Sequence, residues 1–86
     1  MEFEYDQVKS VMNKAKHGIG FEQASVLWSD PGLKVATGRT LNEERWIAIG
    51  LIQGKHWSVV FTPRGDAVRI ISARRSRRKE IEFYES

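Results

Sequence analysis

Apolar residues near the start of the chain recur at the spacing of an α-helix, whereas those of the second half alternate or run together as in β-strands. The first helical set is Val8, Val11, Met12 and Ala15. Asp6 can cap this helix and Gly18 can end it. A second helix is predicted from Phe21 to about Ser29, because the Asp30-Pro31-Gly32 turn stops it. The two helices form an αα-hairpin.

Strand-like segments account for most of the remaining chain. Phe3-Glu4-Tyr5 alternates like a short first strand, and a loop is expected near 30–43. Four later segments are rich in β-branched and aromatic residues and are separated by turn residues: 33–37, 45–52, 56–62 and 67–75. Ser76 can cap a last helix through Tyr84. The order β-α-α-β-β-β-β-α predicts an α+β domain with a small antiparallel sheet, a two-helix hairpin on one sheet face, and a C-terminal helix.

Alternation along the last strand divides its side chains between the two faces of the sheet. One side receives Val68, Ile70, Ser72 and Arg74, and the other receives Arg69, Ile71, Ala73 and Arg75. Arg69 is a charge within an apolar stretch, which is costly unless the guanidinium is paired or exposed. We therefore predict that Arg69 either pairs with Glu44 or Asp66 or contacts a ligand.

Length and composition limit what the chain can be. Its 86 residues form one domain, residues 1–86, and 41% apolar content is enough for a single core. Without cysteine there is no disulfide framework, thiolate zinc site or Cys nucleophile. The acidic start of the chain does not resemble a signal peptide, and no apolar run approaches a membrane span. We expect a soluble, cytoplasmic protein with no membrane partner.

The charge is concentrated in the second half of the chain. Residues 1–43 carry a net charge of −1 and residues 44–86 a net charge of +4. Six basic residues and no acid occur within 69–79. Such a cluster indicates an anionic partner, and RNA, DNA or an acidic protein would each satisfy its charge. The carboxylates are scattered without the spacing of a metal site, and the glycines match no nucleotide-binding loop.

Several single residues are candidates for chemistry, and each also has a structural interpretation. Arg64 lies in a predicted hairpin turn, and Glu44 and Arg45 open a strand. His17 can titrate near neutrality but also suits the carbonyls that end its helix, and His56 is expected to be exposed. The three tryptophans are expected to be core or partner contacts more than base-stacking platforms: Trp28, Trp46 and Trp57.

The chain resembles the BrnT family of bacterial type II toxins in segments that follow one another over nearly its whole length. These segments are Phe3–Asp6, Asn13–Gly18, Phe21–Ala24, Glu43–Trp46 with Ile49-Gly50, Thr62–Asp66, Arg69–Glu80 and Tyr84-Glu85. Gln7 and Pro63 depart from the family pattern. The resemblance implies a RelE-like ribonuclease fold and an endoribonuclease that needs no metal or other cofactor. It also implies a BrnA-type antitoxin, and an antitoxin complex that binds operator DNA.

Two functional hypotheses follow. In the first, the chain cleaves RNA and arrests translation, and the side chains that hold the phosphate are Arg64, Arg69, Arg74 and Arg75. His17 or Glu44 would accept the proton. Further contacts to RNA would come from Arg45, Ser76, Arg77, Arg78 and Lys79. In the second, the same basic surface is a non-enzymatic binding module or a ParE-like topoisomerase poison.

A structural interpretation is compatible with both hypotheses. It treats a set of aromatic residues as an assembly surface: Trp46, Trp57, Phe61, Phe83 and Tyr84.

Overall fold

The computed structural model describes residues 1–39 and 44–86, without the side chains of 38 and 39. Its elements are β1 (Glu2–Glu4), α1 (Gln7–His17), α2 (Phe21–Ala24), a 3₁₀ turn (Ser25–Ser29) that continues α2, β2 (Lys34–Arg39), β3 (Glu44–Ile52), β4 (Lys55–Arg64), β5 (Ala67–Arg75) and α3 (Arg78–Glu85). This order confirms the predicted α+β fold. Residues 40–43 of the predicted loop lie outside the described residues.

One five-stranded sheet, in the order β1-β5-β4-β3-β2, organises the domain. Strands β2 to β5 form an antiparallel meander, and the predicted turn after β3 is made by Gln53 and Gly54, both at positive φ. β1 joins the other side of β5 in parallel, with Glu4 opposite Arg69. This pairing between the two ends of the chain was not specified by local pattern, and it brings an acid next to the arginine-bearing strand.

The core lies between the helical hairpin and one face of the sheet. Phe21, Ala24 and Leu27 from the hairpin are almost fully buried against Val59 and Ala73 of the central strands. The expectation that the tryptophans are packing residues is confirmed, since Trp57 is buried and Trp28 and Trp46 pack against the core. The predicted assembly surface is wrong for Trp57 and Phe61, which are only 8% and 5% exposed.

Helix α1 has the predicted ends but buries polar residues. Asp6 accepts a hydrogen bond from the Lys9 amide at 3.1 Å, and Gly18 ends the helix at a φ of 96°. Two residues face the interior: Ser10 and Asn13. Asn13 donates to the carbonyls of Ala73 and Ile19 at 2.9 and 2.8 Å and accepts from the Ala73 amide at 3.2 Å. Its side chain therefore serves as a substitute for a neighbouring strand at the edge of β5.

We expect Asn13→Ala to lower the free energy of unfolding by about 2 kcal/mol, because it leaves buried backbone groups without partners. Lys14→Ala, on the exposed side of the same helix, is the matched control and should change stability by less than about 0.5 kcal/mol. Urea unfolding measures both. Equal stability of the two variants would show that the Asn13 bonds do not hold α1 to the sheet.

A β-bulge reverses the predicted facing of the C-terminal half of β5. Phe61 pairs with Ile70 but Val60 pairs with Ser72, so one residue of β5 is extra in the ladder. Ala73 consequently returns to the buried side, at 0% exposure. The alternation that put Arg74 on the side of Val68 and Ile70 was therefore wrong beyond the bulge.

Helix α3 packs on the sheet face opposite the hairpin, at one end of the strands. The prediction that Ser76 caps this helix was wrong: Arg77 is the N-cap, and its amide donates to the Glu80 carboxylate at 2.7 Å. The Ser76 hydroxyl instead pairs with that of Ser58 at 2.8 Å. Ser58 and Glu80 are themselves bonded, at 2.9 Å, so a polar cluster joins α3 to the sheet.

The far end of α3 is held by a second polar contact. The Tyr84 hydroxyl donates to Asp30 at 2.7 Å, and this bond raises the pKa of Tyr84 to about 12. The same bond, with the amides of Gly32 and Leu51, lowers the pKa of Asp30 against the opposing effect of burial. Both ends of α3 are thereby fixed, and among residues 1–39 and 44–86 no helix covers the other end of this sheet face.

Candidate functional site

Three arginines lie on the sheet face that carries α3, toward the end of the strands that α3 does not reach. Arg69 lies between the buried residues Val68 and Ile70 and therefore points away from the hairpin. Arg64 is on the same face by alternation along β4, and is 60% exposed. On β3, Arg45 is three residues before the buried Ala48 and therefore points to the opposite face of the sheet, the same face as Arg64 and Arg69. We call these three residues the arginine face.

The spacing within the arginine face follows from strand register. Thr62 pairs with Arg69, and the β3–β4 ladder reaches Trp46 opposite Phe61, so Arg45 continues it beside Thr62. Arg45 and Arg69 are therefore two strands apart, a Cα separation of about 10 Å. Ser58, under α3, lies four residues from Thr62, about 13 Å along β4.

A carboxylate lies between two of these arginines. Glu4 Oε1 is 3.5 Å from Arg69 and 3.8 Å from Arg64, and its side chain is 42% exposed. Of the two alternatives predicted for Arg69, the structure shows an ion pair, but the partner is Glu4, and the predicted partners Glu44 and Asp66 were wrong. Pairs this long and this exposed contribute little to stability and are easily exchanged for another anion.

Arg74 has a different environment from Arg69 although both lie on β5. Its guanidinium makes a bidentate pair with Glu80, with both N–O distances at 2.8 Å, and both side chains are less than a fifth exposed. The Arg74 bonds, helped by the Arg77 amide and the Ser58 hydroxyl, lower the pKa of Glu80 to about 2 against the opposing effect of burial. The same pairing raises the pKa of Arg74. Arg74 holds α3 on the sheet.

The remaining basic residues of the arginine-rich run are dispersed. Arg75 donates to the His56 carbonyl at 3.2 Å and lies over the Trp57 ring at 5.6 Å. Arg78 is 92% exposed and pairs with Glu82 one turn on, at 3.4 Å. Two others are exposed at the start of α3: Arg77 and Lys79. The basic residues of this run therefore make several separate contacts and do not form one continuous basic patch.

Neither predicted proton acceptor lies on the arginine face. His17 is at the end of α1, where it lines a groove with Phe21 and Ile71. Glu44 opens β3 and alternates to the side of Trp46, which packs on the hairpin core. His56 was expected to be exposed, but it stacks edge-on against Tyr84 and bonds Glu85 at 2.7 Å.

Glu4 is the residue of this site that the sequence analysis missed. Phe3 and Tyr5 pack against the core, so the alternation of Phe3-Glu4-Tyr5 carried the signal that Glu4 points the other way. Its position beside Arg69 needed the parallel β1–β5 pairing as well.

The fold and the arginine face define a small basic α+β domain with a surface suited to a phosphate-bearing ligand. Residues 5–80 match the family described as the ribonuclease toxin, BrnT, of type II toxin-antitoxin system. The chain belongs to this family, and is therefore a ribonuclease toxin with an RNA substrate and an antitoxin partner. No curated protein matches the chain.

Two further observations concern the described residues 1–39 and 44–86. They contain no group of three or more His, Cys, Asp or Glu side chains arranged to hold a metal ion. None of their helices is long and apolar enough to cross a membrane.

Proposed function

We propose that the chain is a metal-independent endoribonuclease that cleaves RNA in the cytoplasm and thereby arrests translation. The observation that carries the proposal is the arginine face, where Arg64 and Arg69 converge on one carboxylate oxygen of Glu4. Two guanidinium groups that share one oxygen of a carboxylate are spaced to share a phosphate oxygen as well.

The proposed reaction is attack of a ribose 2′-OH on the adjacent phosphodiester. The 2′-oxygen gives up its proton and forms a bond to phosphorus, the bond from phosphorus to the 5′-oxygen breaks, and the 5′-oxygen takes a proton from water, which leaves a 2′,3′-cyclic phosphate and a 5′-hydroxyl. The phosphorus centre carries extra negative charge on the way. Arg64 and Arg69 stabilise that charge, and removal of one such donor typically lowers the rate by about 100-fold or more.

The 2′-OH proton needs an acceptor within hydrogen-bond reach, and we assign this role to Glu4. Its carboxylate is the one that contacts the arginines directly. When RNA takes over the guanidinium groups, Glu4 is released next to the phosphate. Arg45 and the basic residues of α3 contribute to RNA attraction, and Arg74 acts through the position of α3.

The partner in this proposal is a BrnA-type antitoxin that neutralises the toxin and forms with it a complex that binds operator DNA. Membership in a type II toxin-antitoxin family supports the existence of an antitoxin. A ParE-like topoisomerase poison would use the same cationic surface and is distinguished by the fate of RNA.

The test uses the purified chain, a 5′-labelled RNA and excess EDTA. We expect cleaved RNA with 2′,3′-cyclic phosphate and 5′-hydroxyl ends. Cleavage that EDTA abolishes and Mg²⁺ restores would contradict metal independence. Intact RNA together with inhibited DNA gyrase would establish the ParE-like activity instead. The cyclic phosphate is identified by its resistance to phosphatase, and the 5′-hydroxyl by its acceptance of phosphate from polynucleotide kinase.

A further inference from the structure

An apolar stripe runs along the outer side of α1. Val8, Val11 and Met12 are 68%, 64% and 64% exposed, and Ala15 is also exposed. These are the residues whose helical spacing predicts the helix, yet the side of α1 that meets the sheet carries Ser10 and Asn13. An exposed run of large apolar side chains on a small domain marks an interaction surface. From Val8 to Ala15 it extends about 10 Å, or two helical turns.

The stripe has a cationic border on the side that faces β5. Lys9 and Lys16 lie with Met12 along a groove of about 530 Å³ between α1 and the edge of β5. On the other side, Lys14 and Val11 line a second groove, of about 440 Å³, together with Glu22 of α2, so this border carries both signs of charge. Helix α1 contains no acidic residue. The complementary partner surface is therefore apolar in its centre and acidic along the border that meets Lys9 and Lys16.

Helical geometry suits this surface better than an added strand. β1 covers the edge of β5 as far as Arg69, and Asn13 takes both backbone groups of Ala73. At most three residues of free edge remain between them, too few for a stable strand addition. An amphipathic helix laid along the stripe needs no backbone pairing and places apolar residues every third or fourth position.

We propose that the apolar stripe of α1 is the docking site for an acidic amphipathic helix of the antitoxin. The assignment rests on the proposed toxin-antitoxin function for the existence of the partner, and on the stripe and its lysines for the location. The stripe is on the hairpin side of the sheet, whereas the arginine face is on the opposite side. Docking on α1 therefore anchors the antitoxin away from the catalytic arginines, and a separate segment has to reach them.

The experiment uses the toxin co-expressed with a BrnA-type antitoxin, the partner in the proposed function. The variant Val8→Glu/Met12→Glu puts acids into the stripe, and glutamate preserves helix propensity. We expect its affinity for that protein to fall at least 100-fold while RNA cleavage by the free toxin stays unchanged. Val35→Glu is the matched control, since Val35 is an exposed valine at the opposite edge of the sheet, and we expect it to keep full affinity.

A charge variant makes the test independent of the apolar substitutions. Lys9→Glu/Lys16→Glu leaves the stripe intact, and we expect weaker binding with a smaller dependence on salt. Unchanged affinity of both variants would overturn the proposal, as would a toxin homodimer that the Val8→Glu/Met12→Glu variant dissolves. If the variants lose antitoxin binding but the wild-type chain does not cleave RNA, the docking site is supported and the ribonuclease mechanism is refuted.

Discussion

Replacing Arg69 with alanine is expected to lower the rate of RNA cleavage by about 100-fold to 1,000-fold, the effect of removing one preorganised donor to a charged transition state. Arg69 pairs with Glu4 at 3.5 Å in a partly exposed position. The loss of that pair should reduce stability by less than about 1 kcal/mol. The variant therefore stays folded, and single-turnover cleavage measures chemistry and not unfolding.

Two further variants define the role of Arg69. Arg69→Lys keeps the charge but not the planar fork, and we expect it to restore only part of the rate. Lys55→Ala removes a positive charge from the opposite end of β4 and is expected to cleave at the wild-type rate. If Arg69→Ala and Lys55→Ala cleave equally well, Arg69 does not stabilise the transition state.

The substitution with the largest expected effect on stability is Glu80→Gln. The Glu80 carboxylate accepts two bonds from Arg74 and further bonds from Ser58 and the Arg77 amide. Its loss leaves a mostly buried guanidinium without its counter-charge, so the free energy of unfolding at pH 7 should fall by about 3 kcal/mol. Glu82→Gln, on the exposed side of the same helix, is the matched control and should cost less than about 0.5 kcal/mol.

The pH dependence of this effect has a defined sign. The pKa of Glu80 is lowered from 4.5 to about 2 in the folded protein. A lowered pKa means that the stabilisation is complete above the ordinary value and is lost as pH falls through the folded value. The difference in the free energy of unfolding between the wild type and Glu80→Gln, measured with urea, should therefore shrink as the pH falls from about 4.5 to about 2. A difference that is constant with pH would mean that Glu80 acts by packing and not by its charge.

The elements of the fold could be predicted from the sequence because each has a local signal. Asp6 and Gly18 delimit α1, the Asp30-Pro31-Gly32 turn stops the hairpin, and β5 was predicted with its observed bounds, Ala67–Arg75. Local signals failed where a second element decided the outcome. Ser76 has the chemistry of an N-cap, but its hydroxyl bonds to Ser58 instead. The Glu80 carboxylate accepts from the Arg77 amide at the start of the helix.

The candidate site was less predictable than the fold, because it depends on register. The arginine-rich run indicated that the partner carries negative charge, and the resemblance identified the family that residues 5–80 match. Strict alternation put Arg69 and Arg74 on opposite faces of the sheet, whereas the bulge opposite Val60 and Phe61 shifts the second half of β5 and brings both to the same face. On that face Arg69 meets Glu4 beyond the reach of α3, and Arg74 meets Glu80 beneath α3.

By itself the sequence determined the order of the elements, the positive charge of the second half and the family of the chain, since hydrophobic period, turn residues and composition are properties of neighbours along the chain. Only the tertiary structure decided which charges meet. The parallel pairing of β1 with β5 brings Glu4 to Arg69, and the bonds of Asn13 turn the polar side of α1 inward and its apolar stripe outward. Both results depend on contacts between residues sixty or more positions apart, which no local pattern encodes.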